Sequence, residues 1–418
     1  MLKIINIFLR GVIPRNPFPH KLIDIFLAIF RNKPREIVLN EIIKTVGLTE
    51  GFFVKSARHG LYLIFTNMLK RGDEIILTSF TCNALVGPIK KAGLVPVFAD
   101  VSLETLNSEI EHFRPLITKK TKAILITHQF GFTLCDGSKI RELCDEYGIL
   151  LIEDAASAYG ATCNWNKVGL LGHLTVFSFE KSKVISCVEG GLVTGDPLLV
   201  NKILHQLKRD KLRSSFLYFV KTLALAFAYN KHVYPFTMIV WKFYKGGVST
   251  AQLWESDLNE FEQSFDGLSR FQIQLLDSSH KQLRTILTLR AEMAKKLYEL
   301  IIRKKKSWRL VQCKLSQCRL KANGCIFTYS RFPFLIERSV EDKMSKYLEL
   351  YGSGLDLGFT FSYSISSYFN QKTPSNTFII MKSILNIPIS NSRGLNESIF
   401  DRLEKYLDGE VNNDLPKI

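Results

Sequence analysis

Between about residue 50 and residue 200 the chain alternates short apolar runs with amphipathic stretches. Glu74 to Phe80, Val95 to Val101, Ala123 to His128, Leu150 to Asp154 and Thr175 to Phe179 predict strands, and Gly191 to Thr194 a further one. Gly60 to Lys70, Cys82 to Ala92 and Gly137 to Tyr147 predict helices. Gly93 and Gly148 follow two of them, where a helix end favours a left-handed residue. Strands that are apolar throughout, separated by helices, predict an α/β fold with a mainly parallel sheet covered on both faces.

The flanks read differently. Residues 1–45 form an N-terminal extension in which Leu22 to Phe30 predicts a short apolar helix, too short to span a bilayer. A large α/β domain is expected over residues 46–265, with a helical hydrophobic insertion at about 205–262. Within the insertion, Phe216 to Tyr244 is rich in aromatic and aliphatic residues but is broken by Lys221, Lys231, His232 and Pro235. Two readings stay open for it: a packed helical hairpin, or an interfacial membrane patch with basic rims. Leu268 to Arg303 predicts one long connecting helix. Ile326 to Glu337 then predicts a strand, Val340 to Tyr351 a helix, Thr377 to Pro388 a helix leading to a turn, and Glu397 to Leu407 a last helix. Residues 266–418 are thus expected to form a smaller α+β domain.

Composition narrows the function. With 418 residues, 46% hydrophobic and 23% charged, the chain excludes disorder and small disulfide scaffolds. Its formal charge is +17, which points to anionic partners. The positive residues are scattered, and Arg303 to Lys306 is the one dense run, so no nucleic-acid partner is expected. Eight cysteines show no zinc spacing, so no metal is expected, and their usage fits a reducing cytoplasm. The N-terminus lacks the h-region and cleavage site of a signal peptide.

The chemistry concentrates in Leu150 to Thr194. The run L-L-I-E-D-A-A-S-A-Y-G-A carries a strand that ends in Glu153-Asp154, at the carboxyl edge where open α/β sheets bind ligands. Then comes V-F-S-F-E-K-S-K-V-I-S-C-V-E-G-G-L-V-T, in which Lys183 follows an apolar strand and a glycine pair precedes another. A desolvated lysine has a lowered pKa, and its neutral amine forms a Schiff base with an aldehyde. Pyridoxal phosphate requires such a lysine, an acidic partner for its ring nitrogen and a phosphate cup. Asp154 and Ser178 suit the last two needs. Upstream, Lys55-Ser56-Ala57-Arg58-His59-Gly60 precedes a helix whose first N–H groups favour phosphate.

With these residues assembled, the chain resembles the DegT-type nucleotide-sugar aminotransferases, fold-type-I pyridoxal-phosphate enzymes with a mainly parallel sheet and a small C-terminal domain. Matching segments run in order over roughly residues 45 to 200 and 265 to 410. They include Ser56-Ala57-Arg58, Gly72 to Ile75, Ser79 to Thr81, Pro96 to Val101, Thr121 to Ile124, His128 to Gly131, Ile152 to Ala156, Phe177 to Phe179, Lys183, Glu189 to Gly191 and Leu385 to Pro388. The resemblance implies Lys183 as catalytic lysine and cofactor anchor. It also implies cofactor contacts from Asp154, Ser178, Ala57, Arg58, Ser157 and Cys82. Glu189 with Gly190 and Gly191 would shape the adjoining loop. The implied reaction moves an amino group, from glutamate, to a keto group of a nucleotide-linked sugar in surface-polysaccharide (O-antigen) biosynthesis. A cytoplasmic homodimer is implied. Peripheral contact with the inner face of a membrane would run through residues 1–30 or 216–244.

The chain departs from the family pattern at several positions. Cys82 stands where an aromatic residue often stacks, Ser157 where Gln or His is usual, and Ala57-Arg58 where Gly-Thr is usual. His173 replaces a common Asp, and the family's Asn is absent from Phe265 to Ser269. These departures keep two alternatives in view: a catalytically impaired regulatory or scaffold protein, and another fold-type-I enzyme such as a lyase.

Overall fold

The computed structural model describes residues 11–134, 137–163, 166–209, 213–245, 263–265, 267–304, 308–311, 325–337, 343–357 and 364–409. Its centre is a seven-stranded sheet built from β1 (Glu50–Val54), β2 (Glu74–Thr78), β3 (Val95–Ala99), β4 (Thr121–Thr127), β5 (Leu150–Asp154), β6 (Leu174–Ser178) and β7 (Gly191–Gly195). The order across the sheet is β1-β7-β6-β5-β4-β2-β3. The pairings from β3 to β6 are parallel, and β7 alone runs against its neighbours β6 and β1.

Side chains alternate across this sheet and build two cores. Ile75, Leu77, Ala123, Leu125 and Ile152 pack on one face with Leu61, Ile64 and Phe65 of helix Ala57–Met68. Ile76, Ile124, Ile126 and Leu151 pack on the other with Ile140 and Cys144 of helix Gly137–Tyr147. Full burial of each such aliphatic side chain contributes about 1.5–3 kcal/mol. The same alternation fixes the two carboxylates that end β5. Glu153 lies on the Leu151 face and Asp154 on the Ile152 face, toward helix Ala57–Met68.

A second, antiparallel sheet joins β8 (Trp308–Leu310), β9 (Arg331–Ile336) and β10 (Ile384–Pro388). Here Thr377 to Pro388 departs from expectation. The helix spans Ser375–Ser383, and the following residues form a strand rather than a turn, because Ile384, Leu385 and Ile387 are fully buried against β9. The single helix expected over Leu268 to Arg303 is also two, Arg270–Lys281 and Leu283–Lys304. The break falls at Gln282, with φ −90° and ψ 0°. Its side chain folds back onto the Ser278 carbonyl at 3.2 Å, and the preceding His280 ring meets Thr45 Oγ1 at 2.9 Å. β1 and helix Arg35–Thr45 were not anticipated.

Residues 213–245, in the stretch expected as a hydrophobic insertion, form a hairpin of helices Ser215–Ala228 and Tyr234–Lys245, with Pro235 in the first turn of the second, where proline is tolerated. Helices Leu22–Phe30 and Ser215–Ala228 pack together and onto Arg270–Lys281 through Ile25, Ala28, Tyr218, Phe271 and Leu275. Their outer face is apolar: Phe30 is 80% and Phe216 75% exposed. Among the described residues, no helix is long and apolar enough to cross a membrane.

Candidate active site

At the carboxyl edge of β5 and β6 opens a cavity of about 710 Å³. Asp154, Ser178, Lys183, Ala57, Arg58 and Cys82 all line it. Ser157 does not line it, but its Oγ accepts a hydrogen bond from Lys183 Nζ at 3.3 Å.

Each of these side chains has a local cause. Ser56 is extended and caps helix Ala57–Met68, its Oγ accepting from the His59 N–H at 3.2 Å. The first-turn N–H groups at Ala57 and Arg58 thereby open onto an anion-favouring helix start. Gly191 makes the close approach possible, since a Cβ there would sit 2.8 Å from the Ala57 nitrogen and 2.9 Å from the Phe177 oxygen. Lys183 rides on the loop that joins β6 to β7. The loop is closed at its base by Phe179 N–H to Gly190 O and Cys187 N–H to Phe179 O, each 2.9 Å, and by Lys181 N–H to Val188 O at 3.0 Å. Val188 holds φ at +75°, a costly conformation for a β-branched residue that the surrounding packing must sustain.

The small sheet's side of the molecule clamps the same loop. Asn391 Nδ2 donates to the Val184 carbonyl at 3.1 Å, and Asn391 Oδ1 accepts from Arg290 Nε at 2.8 Å. Arg290 is buried and also donates to the Tyr329 carbonyl at 2.9 Å, and burial holds its pKa down to about 10.

The two carboxylates of β5 have opposite surroundings. Asp154 accepts one backbone hydrogen bond, from Ala156 N–H at 3.0 Å. Burial pushes its pKa up, offset only in part by that bond and by the charges of Lys183 and His128. Glu153, fully buried, meets His128 Nε2 at 2.7 Å, the N–H groups of Gly169 and Gly172 at 2.9 Å, Leu171 N–H at 3.2 Å and Thr175 Oγ1 at 3.3 Å. Burial would raise its pKa too, but His128 and the backbone N–H groups outweigh it and hold the carboxylate low.

Arg213, Tyr218 and Lys221, three polar cavity residues at and just before helix Ser215–Ala228, escaped sequence reasoning. They converge on Glu189. Arg213 Nη1 lies 3.3 Å from Glu189 Oε2, the Tyr218 hydroxyl donates to the same oxygen at 2.9 Å, and Lys221 Nζ pairs with Oε1. The signal available in sequence was the i, i+3 spacing of Tyr218 and Lys221 on one helix.

Residues 40–224 match the model of the DegT/DnrJ/EryC1/StrS aminotransferase family. A GDP-perosamine synthase of Vibrio cholerae is 41% identical over 138 residues, which are 33% of this chain and 37% of that protein. An L-glutamine:2-deoxy-scyllo-inosose aminotransferase of Streptomyces kanamyceticus is 38% identical over 135 residues, 32% of this chain and 31% of that protein. The chain thus spans about a third of the length of these curated relatives. Likeness of fold extends further. The crystal structure of the aminotransferase TlmJ from Streptoalloteichus hindustanus superposes with a TM-score of 0.71 at 20% identity, covering 96% of this chain and 100% of that one. The fold is the type-I α/β architecture seen in that aminotransferase, and residues 40–224 are similar to the DegT/DnrJ/EryC1/StrS aminotransferase family.

Proposed function

We propose that the protein is a pyridoxal-phosphate-dependent aminotransferase that transfers an amino group, from glutamate, to a keto group of a nucleotide-activated sugar. The observation that carries this reading is the meeting of Lys183, Asp154, Ser178 and the start of helix Ala57–Met68 in one cavity. The donor set fits the cofactor: an amine, a carboxylate short of partners, a hydroxyl and a helix N-terminus, in a space of about 710 Å³.

When bound, pyridoxal phosphate supplies an electron sink for a carbon that loses its proton. The chain's residues do the rest. Ser178 Oγ and the first-turn N–H groups at Ala57 and Arg58 hold the phosphate, with the Arg58 guanidinium adding charge. Asp154, raised by burial and short of donors, is stabilised by a cation and so keeps a ring nitrogen protonated. Lys183 Nζ takes and returns the proton at the substrate carbon, and Ser157 Oγ positions that amine. Cys82 forms a wall where a flat ring would stack.

A role in surface-polysaccharide synthesis and work as a homodimer belong to this reading. The likeness of residues 40–224 to the family supports the first, and the outward apolar face of Phe30, Phe216 and Phe227 supplies surface for the second or for a bilayer interface. Protein loaded with pyridoxal phosphate and then freed of unbound cofactor is expected to retain a near-visible absorbance band that Lys183→Ala lacks and that glutamate bleaches. A wild-type protein with no band would refute the assignment. A band unmoved by glutamate would require another donor or a lyase reaction.

A further inference from the structure

The cavity holds more positive charge than one phosphate cup needs. Lys55, Arg58, Lys183, Arg213 and Lys221 face it, against Asp154, Glu180 and Glu189. Two of the five cations come from the insertion and share a single carboxylate, Glu189, so that cluster keeps an excess positive charge.

The cluster is also rigidly held. The Glu189 carbonyl accepts from Gln272 Nε2 at 2.8 Å, which ties the acid to helix Arg270–Lys281. Both cations lie over the Tyr218 ring, the Arg213 guanidinium carbon 5.4 Å and Lys221 Nζ 5.6 Å from its centre. Its hydroxyl accepts from Arg213 Nη1 while donating to Glu189. Of the five guanidinium donors, those on Nη1 alone are engaged with described residues. The side chains of Arg213 and Lys221 are 27% and 43% exposed. Partly exposed ion pairs add about 0–1 kcal/mol to stability. Stability therefore gives little reason to gather two cations, a tyrosine and a carboxylate at a cavity wall, whereas an arranged arginine fork suits a phosphate or carboxylate.

Building on the aminotransferase reading, we propose that Arg213 and Lys221 form a second oxyanion site in this cavity, distinct from the cup at Ser56 to Arg58. It seats the anionic group of a substrate, either the diphosphate of the sugar nucleotide or a carboxylate of the amino donor. Glu189 and Tyr218 are its positioning residues. Residues 213–221 would thus bring substrate recognition to the cofactor cavity.

The test is calorimetric titration of GDP and of glutarate into wild type and into the Arg213→Gln, Lys221→Gln double variant. Each protein is titrated with and without pyridoxal phosphate. The wild type is expected to bind at least one probe, and the double variant to bind that probe at least tenfold more weakly at an unchanged thermal midpoint. Loss of GDP alone assigns the site to the diphosphate, and loss of glutarate alone assigns it to the donor. Wild type that binds neither probe, or a variant that binds both unchanged, overturns the proposal. So does a variant whose defect is confined to pyridoxal phosphate itself, since the cluster would then belong to the cofactor's cup. If the double variant unfolds, Lys221→Met alone is expected to weaken the same probe at least threefold. The cofactor-free titrations read out even if the absorbance test fails, so the two readings fall separately.

Discussion

Two adjacent residues, Glu153 and Asp154, end the same strand and face opposite sides of the sheet. On one side Glu153 is saturated with donors and its pKa is held low. On the other Asp154, buried at the cavity wall, has among the described residues one backbone donor, and its pKa is raised. Burial alone therefore does not identify a functional acid. A buried carboxylate saturated with donors is part of the scaffold, while one that opens onto a cavity with few donors is placed for a partner from outside the chain.

Removing the saturated acid should have the largest effect. Glu153→Leu strands the His128 ring and the N–H groups of Gly169 and Gly172, and should cost about 3–5 kcal/mol in chemical denaturation. Asp154→Asn should do the reverse, leaving stability within about 0.5 kcal/mol while lowering kcat/KM by about two orders of magnitude. A large loss of stability in that variant would dissolve the contrast. A subtler difference lies in pH dependence, measured by denaturation midpoints of cofactor-free protein. The wild type should lose stability relative to Asp154→Asn as pH rises from the ordinary carboxylate value through the raised native one, because the folded state keeps a proton that the unfolded state releases. Its advantage over Glu153→Gln should instead be present above the ordinary glutamate value and vanish as pH falls through the lowered native one. The smallest effect belongs to Thr175→Val. It removes one hydroxyl donor within reach of both Glu153 and the Gly169 carbonyl and should cost about 1 kcal/mol, with activity unchanged.

Much of the cavity was legible in the sequence because its residues sit at the ends of strongly patterned elements. Lys183, Ser178, Asp154 and the Ser56 cap each adjoin an apolar strand or a helix start, so their place followed from the pattern. Arg213, Tyr218 and Lys221 were illegible because they reach the cavity only when helix Ser215–Ala228 docks on Arg270–Lys281, a contact no local period encodes. The same limit hid the break at Gln282, where the amphipathic stripe continues across the kink. It also hid β10, whose short apolar run becomes a strand only through its pairing with β9.

The missing side chain at Gly191 has a further consequence. Strand β7 and the first turn of helix Ala57–Met68 touch backbone to backbone there. The anion cup and the base of the lysine-bearing loop are therefore one mechanical block, with no flexible side chain between them to take up slack. When the sheet breathes, amine and cup shift together and their alignment survives. Recognition residues at the rim, the role proposed for Arg213 and Lys221, can then vary without retuning the frame they act upon.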